Sequence, residues 1–155
     1  MSNHQIPDFE TDAEFLQLIQ PRVEKYIEDL EEDIFDHGCD EAICVWGNIL
    51  IDGHLRYSIC RKWDIHFNIR RLFFQSRDEA EAYICTEQLK RKDLTSEYKK
   101  YLIGRRFRAD MNIASADFLK NHPVDIVITD IKMPAADGLE VARFVHENHP
   151  MTKVI

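Results

Sequence analysis

The sequence predicts an α+β chain joined to a partial α/β segment, on three observations. Helical and strand-like hydrophobic periods alternate along residues 15–108, and Gly47-Asn48 between two β-type runs is a two-residue hairpin signal. Near residues 109–112 the density of basic residues stops. One further apolar strand then delivers Asp130 to its carboxyl end, where open parallel sheets place their ligands. At 155 residues and 45% hydrophobic, the chain fills one good core, or one core and part of a second, rather than two complete domains.

The elements follow in order. Residues 15–19 are a short apolar run before Pro21, read as a strand rather than the end of a helix opened by the Thr11-x-x-Glu14 pattern. In residues 22–37, Val23, Tyr26, Ile27, Leu30 and Ile34 recur at helical spacing with acids opposite, and Gly38 stops the helix. Residues 42–46 and 49–51 form the hairpin; Asp52-Gly53 interrupts, and residues 54–63 read as a helix. Ile65, Phe67 and Ile69 alternate with polar residues in a strand running to about residue 74. Ser76-x-x-Glu79 opens a helix over residues 77–90. Thr95 caps a basic helix with Tyr98, Leu102 and Ile103 inward and Lys99, Lys100, Arg105, Arg106 and Arg108 around it. Beyond it come a helix at 113–121, a strand at 124–129, a loop to Gly138, a helix at 139–148 and the start of a strand at 153. The expected division is a polar extension at 1–14, a module at 15–109 and a partial segment at 110–155.

Composition narrows the function classes. No apolar run reaches the ~18 residues a membrane helix needs, and the first ten residues are polar and acidic, so the expectation is a cytoplasmic chain without a membrane partner. Cys39, Cys44, Cys60 and Cys85 form no C-x-x-C pair and lie in apolar-patterned segments, which reads as reduced, buried thiols. Zinc would require His37 and Cys39 to find distant partners. Charge is segregated: residues 1–52 carry 14 acids and 2 bases, whereas residues 53–109 carry 7 acids and 14 bases. A basic middle is where a nucleic-acid backbone or a phosphate would bind, or it is a solvated face that pairs with the acidic helix.

A strand that ends in Asp52-Gly53 and passes directly into a helix presents unpaired N–H groups, which attract anions. Gly53 lets backbone approach a phosphate, and His54 and Arg56 add a donor and a fixed charge, although an ordinary strand-to-helix turn has the same outline. The stretch VWGNILIDGHLRYSIC, then a strand, an acidic-start helix and TEQLKRKDLTSEYKKYLIGRRF, resembles the ParB-like N-terminal domain, whose fold is shared with sulfiredoxin. The resemblance spans about residues 15–108 and implies an α+β mixed sheet with helices. Its phosphate-binding G-x-x-R element matches Gly53, His54, Leu55 and Arg56. Its second element matches Glu87, Gln88, Arg91, Asp93 and Leu94, implying a nucleotide (CTP or ATP) with Mg²⁺ held partly by Glu87. Gln88 stands where the family usually has Asn, and His54-Leu55 where chromosomal partition proteins have Glu-Arg. DNA is the implied partner, with Lys99, Lys100, Arg105, Arg106 and Arg108 as candidate contacts. No helix-turn-helix pattern follows Arg108, so independent sequence-specific reading is not expected.

The run DIVITDIKMPAADGLEVARFVHENHPMTKVI resembles a response-regulator receiver domain from its third strand to the start of its fourth, a partial flavodoxin-like fold. Asp130 matches the family's phospho-accepting aspartate, and Lys132, Met133, Pro134, Asp137 and Gly138 the loop after it. The acidic pair, the Ser/Thr and the Lys that complete the family's site find no match, which makes Asp130 a vestigial acceptor. Its apolar edges would be covered by the first module, a homodimer or another protein. The leading expectation is a nucleotide- or phosphate-binding module of a ParB-like, DNA-associated regulatory protein rather than an enzyme; nucleotide hydrolysis stays open, and nothing supports a nuclease. The alternatives are a two-component protein phosphorylated at Asp130 and a small phosphotransfer enzyme.

Overall fold

Three consecutive buried residues in one strand, Ile43, Cys44 and Val45, mark the centre of the fold. A strand buried without alternation has both of its faces covered. In the computed structural model, which describes residues 6–121, 126–127, 142–143, 145–147, 150–151 and 153–155, the chain divides into two compact units, Met1–Gln75 and Ser76–Ile155.

In the first unit, β1 (Cys39–Trp46) lies between β2 (Ile49–Asp52), antiparallel to it, and β3 (Phe67–Leu72), parallel to it. The Gly47-Asn48 hairpin forms as expected, with Gly47 at φ 59°. The register shifts between Cys44, opposite Asp52, and Val45, opposite Leu50. This irregularity puts the adjacent residues Leu50 and Ile51 both into buried positions and changes the direction of the strand just before the candidate site. Two helices pack on the sheet: α2 (Glu24–His37) through Leu30 and Ile34, and α3 (His54–Trp63) through Tyr57, Ile59 and Cys60.

Residues 6–12 are part of this unit rather than a polar extension. Phe9 is buried in the core, and Glu10 bridges to Ile49 on the open edge of β2, exchanging backbone bonds with Asn48 and Leu50. Tyr57 Oη accepts from the Phe9 N–H at 2.8 Å and donates to the Pro7 carbonyl at 3.1 Å. Apolar Ile6 and Phe9, hidden among polar residues, carry this attachment. The run at 15–19 is also not a strand. Asp12 accepts from the Glu14 and Phe15 N–H groups and starts a short helix, α1 (Ala13–Leu16), burying Phe15 and Leu18 three residues apart. Val23, expected inward, caps α2 and is exposed, and the half-exposed Tyr26 lies under the Arg22 guanidinium.

The second unit pairs α4 (Arg77–Leu89), capped by Ser76, with α5 (Ser96–Asn121), capped by Thr95. The expected break near 109–112 is absent: α5 runs through it as one helix of 26 residues. No Gly or Pro occurs from 105 to 122, so nothing in the backbone ends it there. Leu102 and Ala109 are the buried positions, and Ile103, expected inward, is half exposed one step off that stripe. Farther on, β4 (Ile126–Val127) and β5 (Lys153–Val154) pair in parallel, and residues 142–143 and 145–147 are helical. Asp130 and the loop to Gly138 lie outside the described residues.

All four cysteines are free and buried, as expected. Burial pushes the Cys60 and Cys85 thiols up to about 12, far from reactive thiolates. Among the described residues no helix is long and apolar enough to cross a membrane.

Candidate functional site

The start of α3 is shaped by one glycine. Gly53 sits at φ 88°, ψ 24° as the N-cap and offers no side-chain cap, so the first-turn N–H groups of α3 are not covered by a capping side chain. A Cβ at Gly53 would lie 3.0 Å from Ile43 Cδ1 and 3.3 Å from Arg56 Nη2, so the guanidinium rests directly on the glycine backbone.

Around that turn, Arg56 Nη1 pairs with Glu41 at 2.7 Å and Nη2 with Asp52 at 3.4 Å. Arg56 Nε and both ring nitrogens of His54 are buried and make no hydrogen bond among the described residues. Burial lowers the pKa of His54 below its ordinary value, with Asp52 acting in the opposite sense, so at neutral pH the ring is uncharged with one N–H to donate. Two partly buried side chains thus hold buried, unsatisfied polar atoms at a helix N-terminus, an arrangement that costs stability unless a ligand or water completes it. The Glu41 carboxylate is 76% exposed, and an exposed ion pair is worth at most about 1 kcal/mol, so an arriving phosphate can displace it cheaply. The sequence named Asp52 only as the end of the strand, and Glu41 was not among its candidate residues. The i,i+4 spacing of Asp52 and Arg56 was a usable signal, whereas nothing local links Glu41 to Arg56.

The second predicted element lies in the other unit and forms a clasp. Arg91 donates to Gln88 Oε1 at 2.8 Å and holds Asp93 through two nitrogens at 3.0 and 2.8 Å. Gln88 is the one buried polar residue among those described, and Glu87 is paired with Lys90 at 2.5 Å. These contacts fasten the turn from α4 into α5. Among the described residues no group of three His, Cys, Asp or Glu could hold a metal ion by itself.

The basic residues of α5 also divide. Arg105, a candidate DNA contact, is committed inward: Nε and Nη2 meet the two Glu81 oxygens at 2.6 and 2.9 Å, with both side chains largely buried. Its place beside Leu102 and Ala109 on the packed face of α5 accounts for this. Arg106 lies 3.5 Å from Asp110, and Lys99, Lys100 and Arg108 are exposed.

No family model matches this chain, and no curated protein is significantly similar to it. Among solved structures, a pNOB8-like ParB N-domain superposes with a TM-score of 0.57 at 22% identity, covering 94% of this chain and 61% of that one. A second structure of a pNOB8-like ParB N-domain gives 0.48 at 21% identity over 92% and 55%. The chain therefore spans about three fifths of the length of the first of these. The fold is shared: a small mixed three-stranded sheet with helices, as in a ParB N-domain.

Proposed function

We propose that the first unit binds a phosphate-bearing ligand, a nucleotide in the leading version, at the start of α3, within a ParB-like protein that works in association with DNA. The observation that carries this reading is the pair of partly buried side chains, His54 and Arg56, whose buried ring nitrogens and Nε lack partners beside the Gly53 turn. Arg56 supplies the fixed charge, His54 a neutral donor, and the α3 amides the remaining contacts. The reading asks only for phosphate contacts from this chain; magnesium would arrive with the nucleotide.

Calorimetry with CTP, ATP and ADP, with and without Mg²⁺, tests it. A charge-assisted hydrogen bond is worth about 1.5–3 kcal/mol, so Arg56→Ala should weaken binding at least tenfold while circular dichroism stays unchanged. Absence of binding to all three, or equal binding by the variant, refutes it. Nonspecific DNA contact through exposed Lys99 and Lys100 belongs to the same reading and should weaken steeply with salt.

A receiver-like tail is a second reading, favoured by the parallel β4–β5 pairing at the two segments expected to be neighbouring strands of such a fold. Incubation with a small phosphodonor and Mg²⁺ should then add one phosphate, and Asp130→Asn should abolish it. A mass spectrum without that addition removes the reading.

A further inference from the structure

At the end of α3 farthest from Gly53, a cavity of about 350 Å³ opens between α3 and α2, lined by Glu28, Glu31, Glu32, Phe35 and Trp63. Its rings meet edge to face, Phe35 and Trp63 centroids 5.4 Å apart, and both are exposed, at 61% and 46%. Singly exposed aromatics are ordinary on a protein surface, but these two adjoin each other and border a cavity, which makes them a patch. Trp63 is held in place, its Nε1 donating to Glu31 at 2.6 Å. Glu31 is further fixed by Lys62, whose ammonium lies 4.9 Å above the Trp63 ring. Trp63 therefore already carries one cation over its ring, this chain's own lysine.

The remaining carboxylates are uncommitted. Glu28 and Glu32 are exposed and make no hydrogen bond or ion pair among the described residues. They stand on a helix with seven carboxylates and a single lysine, and that lysine is itself paired with Asp29. Trp63 is the last residue of α3, and Phe35 lies in the last turn of α2. Both helices thus turn their negative dipole ends toward this region, which favours a cation. Aromatic rings flanked by carboxylates form the environment in which a guanidinium or ammonium gains both cation–π and ionic attraction.

We propose that this cavity is a docking site for a basic peptide segment of a partner protein, one arginine or lysine side chain lying on Phe35 and Trp63 between Glu28 and Glu32. The assignment is independent of any ligand at the start of α3. Titration of the full chain with a short arginine-serine peptide, followed by calorimetry, tests it against the same peptide carrying citrulline. The arginine peptide should bind and the citrulline peptide should not. Loss of a cation–π contact of about 0.5–2 kcal/mol predicts that Phe35→Ala weakens binding about two- to thirtyfold. The Glu28→Gln/Glu32→Gln pair should weaken it further and flatten its salt dependence. Phe35 is exposed, so its truncation should leave the fold intact, and circular dichroism checks this. No binding, or equal binding by Phe35→Ala, overturns the proposal by reducing it to general acidity. A dimer of the free chain in sedimentation that Phe35→Ala abolishes would assign the cavity to a second copy of this chain and equally overturn it.

Discussion

Alanine at Gly53 should destabilise the first unit more than alanine at Gly47, although both glycines lie at positive φ. At Gly53, φ is 88°, and the left-handed conformation costs an L-residue about 1–2 kcal/mol. The added Cβ would also lie 3.0 Å from Ile43 Cδ1. Ile43 is fully buried at the centre of β1, so it cannot swing away, and overpacking a core typically costs about 1–3 kcal/mol. Reduced freedom of the unfolded chain returns about 0.4–1 kcal/mol, leaving a net loss of about 1–5 kcal/mol, centred near 3 kcal/mol. Gly47, at φ 59°, has nothing within 4 Å of its Cβ position, so only the conformational cost applies, about 1 kcal/mol. Urea unfolding followed by tryptophan fluorescence isolates the comparison, because Trp46 and Trp63 both lie in the unit that contains the two glycines. Equal losses at Gly53 and Gly47 would refute the close approach of Ile43 and Arg56 to the glycine, and with it the geometry of the candidate site.

Two further outcomes follow from charges inside the units. Arg105→Met leaves the largely buried Glu81 unpaired and should cost about 3 kcal/mol by far-ultraviolet circular dichroism, whereas the double variant Glu81→Leu/Arg105→Met should regain most of it. Single-variant losses below about 0.5 kcal/mol, the range of ordinary surface substitutions, would show that the pair is not structural. For His54, burial lowers the folded-state pKa beneath the unfolded value of about 6.5. The unfolded chain then binds more protons in the interval between the two values. Stability is therefore fully present above about pH 6.5 and declines as pH falls through the folded-state value. His54→Gln should flatten this part of the stability profile, and an unchanged slope would show that the ring is solvated in the folded state.

The parts of the fold legible in the sequence were those with local causes. Gly47-Asn48 specified its hairpin, Gly38 ended α2 at φ 88°, and Ser76 and Thr95 capped the helices that follow them. The fold resemblance was also legible, because it rests on the order of such elements. Errors arose where burial, not local preference, decided the outcome. Phe15 and Leu18 look like part of a strand until they are buried together from one helical turn, and Phe9 looks like a polar tail residue until Tyr57 holds its backbone. Arg105 resembles its basic neighbours in sequence, and only its position on the packed face of α5 commits it to Glu81.

For the start of α3, the sequence by itself determined the glycine, the donor and the charge in order, because a strand-to-helix turn brings Gly53, His54 and Arg56 together within one helical turn. Tertiary structure alone decided that Glu41 reaches Arg56 and that His54 is largely desolvated and so uncharged at neutral pH. It alone also set Phe35 beside Trp63. The physical reason is the same in each case: hydrogen bonding at a turn depends on neighbours in the chain, whereas desolvation and pairing between distant side chains depend on which surfaces the packed elements bring into contact.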